Sequence, residues 1–153
     1  MRIHTLQHVP FEDPANIAAW AAQRGHATTG TRLFAGETPP EPDTFDWLVM
    51  MGGPMSVHDR EQHPWIEGEI EMTKAAIDAG RIVIGVCFGA QIIARALGAE
   101  VRRNAHAEIG WFPVERAPDA ERTAFRVLPD RYTAFHWHGE TFDLPPQATH
   151  VAS

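Results

Sequence analysis

Apolar positions along the chain follow two different periods, and the switch between them divides it into elements. Asp46 to Met51, apolar at every position from Trp47 on, and the apolar run Ile82 to Val86 read as strands buried on both faces of a parallel sheet. Met1 to Val9, anchored by Ile3 and Leu6, and His26 to Leu33 are two further expected strands. Between these runs the apolar period lengthens to that of a helix. Ile17, Ala18 and Trp20 recur in a segment that opens at Asp13-Pro14 and stops at Gly25. Ile66, Ile70, Thr73 and Ile77 recur from Pro64 to Gly80, and Ile92, Ile93, Ala96 and Leu97 from Gln91 to Gly98. An Asp before a Pro is a helix start, and a Gly after the last apolar position is a helix stop.

Strands alternating with helices predict an α/β fold: an open, doubly wound, mainly parallel sheet with helices on both faces, flavodoxin-like. Ligands of such sheets bind beyond the carboxyl ends of the strands. Gly52-Gly53-Pro54 and Cys87 each follow a buried strand directly, so the two loops share one crevice if those strands are neighbours. After Gly98 the character changes. Ala99 to Arg103, Gly110 to Arg116 and Arg131 to His138 read as strands without helices between them, a small antiparallel excursion. Pro118 to Arg126 reads as a short helix or loop, and Thr149 to Ala152 as strand-like. The whole chain, 1–153, reads as one domain.

Composition narrows the class. The formal charge is −7, which argues against nucleic acid or an anionic membrane as the main partner. No apolar stretch is long enough to span a bilayer. The N-terminus has no basic region leading into an apolar one, so no signal peptide is expected. One cysteine allows no internal disulfide, which fits a cytoplasmic location.

That cysteine stands at the most informative junction. Gly85-Val86-Cys87-Phe88-Gly89 is a G-x-C-x-G between a buried strand and a helix, the cysteine form of a nucleophile elbow. The sharp turn would expose the sulfur, and the helix would aim its positive end at it, favouring thiolate. The backbone N–H of Phe88 would be placed to hold an oxyanion, and Gly53, with no β-carbon to obstruct a substrate, would supply a second N–H. The plainer reading of a lone cysteine in an apolar run is a small buried hydrophobe.

The motifs taken together resemble a known family. Gly52 to Val57, Gly85 to Gln91, Glu108-Ile109-Gly110 and His136 to Glu140 match, in order and spacing, the class I (triad-type) glutamine amidotransferase domain. The likeness is strongest to stand-alone members related to the amidotransferase half of GMP synthase. The resemblance implies that Cys87 attacks the side-chain amide of glutamine, that ammonia leaves a γ-glutamyl thioester, and that water then releases glutamate. It makes Gly53 and Phe88 the oxyanion donors and Gln91 a substrate contact. Gly139 and Glu140 become part of the loop that reads the substrate's α-amino and α-carboxylate groups. It implies no metal or organic cofactor. It also implies a synthetase, as partner or fused domain, to accept the ammonia.

One departure stands out. The family places its catalytic His and Glu in a His-Pro-Glu on a later strand, and this chain has none. The resemblance therefore implies a domain incomplete at its C-terminus. Residues alone would nominate His138 as base and Glu140 as its orienter, since alternate positions of an extended segment share a side. His136 and His138 could likewise share a metal, but no third ligand is evident and ordinary histidines are expected. Asp59, His58 and His63 are expected to be solvated loop residues, Glu67, Glu69 and Glu71 the solvated part of a helical turn, and Trp47, Trp65, Trp111 and Trp137 core and rim packing. Two other functions stay open: a γ-glutamyl peptidase using the same cysteine on a larger leaving group, and a catalytically inactive binding or regulatory domain.

Overall fold

The computed structural model describes residues 1–153. Strands β1 (Arg2–Gln7), β2 (Ala27–Arg32), β3 (Trp47–Met50) and β4 (Ile82–Gly85) form a four-stranded parallel sheet in the order β2-β1-β3-β4. The pleat sends alternate side chains of β3 to opposite faces. Leu48 and Met50 join Leu6, Ile66, Phe88 and Ile92 in one core layer, and Val49 and Met51 join Ile3 and Ala21 in the other. Helix α1 (Ala15–Gln23) covers the second layer; α2 (Trp65–Asp78) and α3 (Phe88–Ala96) cover the first. This is the expected doubly wound α/β sheet.

Two local expectations shift for packing reasons. Helix α3 begins at Phe88, directly after Cys87, rather than at Gln91. Phe88, fully buried against His8 and Trp65, anchors a first turn that the apolar period alone did not reveal. In α2 the inward stripe is Ile66, Glu69, Thr73 and Ala76, so Glu69 is buried rather than solvated.

The region after Gly98 is one long antiparallel ribbon. The two expected short strands merge into β5 (Val101–Glu115), which pairs with β6 (Arg131–Phe142). The register is irregular between Arg103 and Glu108, and Glu108 then lies opposite His138 and Gly110 opposite His136. Residues 118–127 form two 3-10 turns, and the expected strand near the C-terminus is a single bridge from Arg116 to Ala152. Trp111 and Trp137 are exposed rather than packed in a core, whereas Trp65 lies against the larger core layer. No helix is long and apolar enough to cross a membrane.

Candidate active site

The registers of β3 and β4 pair Met50 with Gly85, so both strands end at one level and their loops emerge side by side. Between β4 and α3 the chain turns at Cys87, with φ 51° and ψ −108°. A residue with a β-carbon holds such a conformation at a cost of about 1–3 kcal/mol, sustained here by packing on both sides. A β-carbon on Gly85 would lie 2.5 Å from Ala90 N, and one on Gly89 would collide with the carbonyl of Met50. The two glycines thus let the helix start press against its own strand and against the end of β3, and the turn leaves Cys87 exposed as a residue although its thiol is partly enclosed.

The thiol donates to the carbonyl of Trp137, at 3.7 Å. Its pKa is raised: burial is the largest cause, the Phe88 N–H directed at the sulfur pulls the other way, and the carboxylate of Glu12 pushes it up further. Burial thus works against the thiolate that the helix terminus alone would favour. Desolvation outweighs the backbone donor here.

Gly52 and Gly53 stand beside this turn. A β-carbon on Gly52 would sit 3.5 Å from the Cys87 β-carbon and would strike the Glu12 carboxylate. The Gly52 carbonyl accepts from His8 Nδ1 at 3.2 Å, and His8 Nε2 lies 2.8 Å from Glu69 Oε1. Since Gly52 C=O and Gly53 N–H belong to one planar peptide, His8 orients the Gly53 donor from beneath. Sequence reasoning missed this support: His8 read as strand end and Glu69 as solvent-facing.

A cleft of about 640 Å³ opens over these loops, with Gly53, Cys87, Gln91, His138, Gly139 and Glu140 in its lining. The expected site residues thus come together, with Phe88 contributing its backbone from below. Gln91 is buried, and its Oε1 is shielded and has no partner. Asp59 also lines the cleft, where it accepts from Ser56 N at 2.8 Å, and His58 Nε2 holds the carbonyl of Val101 at 2.9 Å. The loop after the glycines is therefore tied down rather than merely solvated.

The geometry of His138 differs from that of a base paired with Cys87. Its Nδ1 donates to the carbonyl of Glu140 at 3.0 Å, and its Nε2 lies 2.9 Å from Glu108 Oε2. The carboxylate of Glu140, the expected orienter, instead accepts from Ser56 Oγ at 2.8 Å. His138 thus shares the cleft with Cys87 but spends both ring nitrogens elsewhere. His136 Nδ1 reaches the same Glu108 oxygen at 3.1 Å. Glu108 is the third group absent from the sequence reading of His136 and His138.

Residues 15–153 match the family model described as glutamine amidotransferase class-I. The chain belongs to that family. Among curated relatives, the glutamine amidotransferase-like protein YfeJ of Salmonella typhimurium is 37% identical over 99% of this chain, which spans 66% of that protein's length. The GMP synthase of Thermomicrobium roseum is 34% identical over 65% of this chain and 17% of its own. Among solved structures, a glutamine amidotransferase from Thermotoga maritima superposes with a TM-score of 0.93 at 31% identity, covering 99% of this chain and 66% of that one. A glutamine amidotransferase from Methylobacillus flagellatus superposes with a TM-score of 0.88 at 31% identity, over 99% and 60%. The amidotransferase resemblance and the α/β fold are thereby established, and the family is generally cysteine-dependent.

Proposed function

We propose that Cys87 is the nucleophile of a glutamine amide hydrolysis. The observation that carries this reading is the turn itself: a strained Cys87 with the Phe88 N–H on its sulfur, in one cleft with Gly53 and Gln91. As thiolate, the sulfur attacks the side-chain carbonyl carbon of glutamine. The resulting oxyanion is held by the N–H groups of Phe88 and Gly53. Collapse expels ammonia and leaves a γ-glutamyl thioester; water then adds, glutamate leaves and the thiolate returns. Gln91 lines the cleft as a substrate contact, and Gly139 and Glu140 hold the substrate's α-substituents. The ammonia passes to a synthetase that uses it, in keeping with the GMP synthase among the relatives.

The cycle needs a group that takes the thiol proton and gives one to ammonia. The Cys87 thiol donates to the Trp137 carbonyl, which cannot serve as base, and His138 is engaged with Glu108 and Glu140. The 153-residue chain is accordingly expected to acylate at Cys87 and to turn over slowly. The test is intact-mass analysis after incubation with glutamine or a glutamine-like electrophile. A γ-glutamyl or alkyl adduct on the wild type that is absent from Cys87→Ser supports the reading; no adduct with either compound overturns it in favour of a binding domain.

A second reading has one observation in its favour. Ile109 and Trp137 line the cleft and are 63% and 71% exposed. Such an apolar wall suits a leaving group larger than ammonia, as in a γ-glutamyl peptide. Faster release of amine from γ-glutamyl peptides than of ammonia from glutamine would select it.

A further inference from the structure

We propose that Glu108, His136 and His138 form a binding site for a first-row divalent cation of the zinc class, on one face of the β5–β6 ribbon. The three side chains are half-buried, and their ligand atoms lie within 4.8 Å of one another. The ribbon register produces the cluster. His136 and His138 are two residues apart on β6 and share a face. Glu108 faces His138 directly from β5 and reaches His136 diagonally.

The two spacings from the carboxylate to the imidazoles fit ligands around one ion. Metal bonds of about 2.0–2.2 Å put neighbouring ligand atoms at roughly 3.0–3.5 Å for right-angled to tetrahedral arrangements. Glu108 Oε2 lies 2.9 Å from His138 Nε2 and 3.1 Å from His136 Nδ1. An independent observation concerns the back of the ring. His138 donates its Nδ1–H to the carbonyl of Glu140 at 3.0 Å, the contact by which metal-binding histidines fix their tautomer. This turns the Nε2 lone pair of a neutral ring toward a carboxylate oxygen. A cation between these atoms would take the place of ring protons in joining both imidazoles to the carboxylate.

Two imidazoles and one carboxylate suit zinc and its neighbours better than magnesium or calcium, which take oxygen ligands. Three protein ligands leave a position for water. His138 lines the cleft, and the adjacent Trp137 carbonyl holds the Cys87 thiol. A bound cation would therefore pin the ribbon beside the cysteine, without using the cysteine as a ligand. The site stands whether or not Cys87 turns over glutamine.

The experiment is calorimetric titration of chelator-treated, tag-free protein with zinc chloride, alongside the thermal midpoint with and without zinc. The wild type and Cys87→Ala are expected to bind one zinc per chain and to melt higher in its presence. Glu108→Gln, which keeps side-chain size, is expected to bind at least tenfold more weakly. The double variant His136→Ala/His138→Ala is expected to lose the site. Circular dichroism checks that each variant is folded, and His136→Asn replaces the double variant if that one is not. No binding by the wild type, undiminished binding by the folded histidine variant, or loss of binding in Cys87→Ala would each overturn the proposal.

Discussion

His8 Nε2 and Glu69 Oε1 lie 2.8 Å apart, and both side chains are fully shielded from solvent. Trp65 stacks on the imidazole and Phe88 meets its edge. The pair links α2 to the end of β1, and through the Gly52 carbonyl it reaches the peptide that carries the Gly53 N–H. Removing one member of a buried pair leaves the other without compensation and costs about 3–5 kcal/mol. Glu69→Ala should therefore lower the free energy of unfolding in urea by about that amount. Glu69→Gln can donate an N–H to a neutral His8 and should cost about 1 kcal/mol or less. Equal losses for both variants would show that the contact contributes through packing alone.

The Cys87 thiol should alkylate as a weakly acidic cysteine. Burial holds its pKa up, with the Glu12 carboxylate adding to the effect, and only the thiolate reacts. The iodoacetamide rate should therefore keep rising through pH 9 instead of levelling off near neutrality. Glu12→Gln should move the profile toward lower pH. A plateau below pH 8 in the free protein would contradict the assignment.

The elbow glycines should tolerate no methyl group. In Gly85→Ala the new carbon meets backbone atoms 2.5 Å away in the first turn of α3. Backbone atoms cannot rotate aside, so a loss of about 3 kcal/mol or more is expected, at the upper end of overpacking costs. Gly68→Ala is the contrast. That glycine is exposed within α2 with nothing within 4 Å of a β-carbon. The substitution should stabilise the protein by about 0.5–1 kcal/mol through helix propensity. Chemical denaturation of both variants measures the difference.

Acid should weaken the sheet through His4. Its ring is buried between Thr29 and Thr31 hydroxyls and stacks on Phe45, and burial lowers its pKa below 6.5. The unfolded chain then takes up this proton at a higher pH than the folded one. The stabilisation from a neutral His4 is complete above about pH 6.5 and declines as pH falls through the folded pKa. The urea midpoint should drop between pH 7 and 5, and His4→Gln should show a shallower drop. An unchanged slope would place the sensitivity in other histidines.

The amino-acid sequence by itself determined the four parallel strands, the three helices and the elbow, because each is written in neighbouring residues. Consecutive apolar positions over 47–50 mark a strand covered on both faces, whereas the same pattern over 82–85 belongs to a strand at the sheet edge, with Ile82 exposed rather than buried. Gly85, Cys87 and Gly89 specify a turn through their own backbone needs. Tertiary structure alone decided which polar groups meet. Glu69 looked like any acidic residue on a helix until the fold set it against His8, 61 positions away. Glu108 became the partner of His138 only through the register of a ribbon with an irregularity at residues 103–108. His138, two positions before Glu140, has its ring nitrogens on Glu108 and the Glu140 carbonyl. Local periods report which face of an element is apolar. They carry no information about which element will lie across from it, and that pairing sets the charge and hydrogen bonding around Cys87.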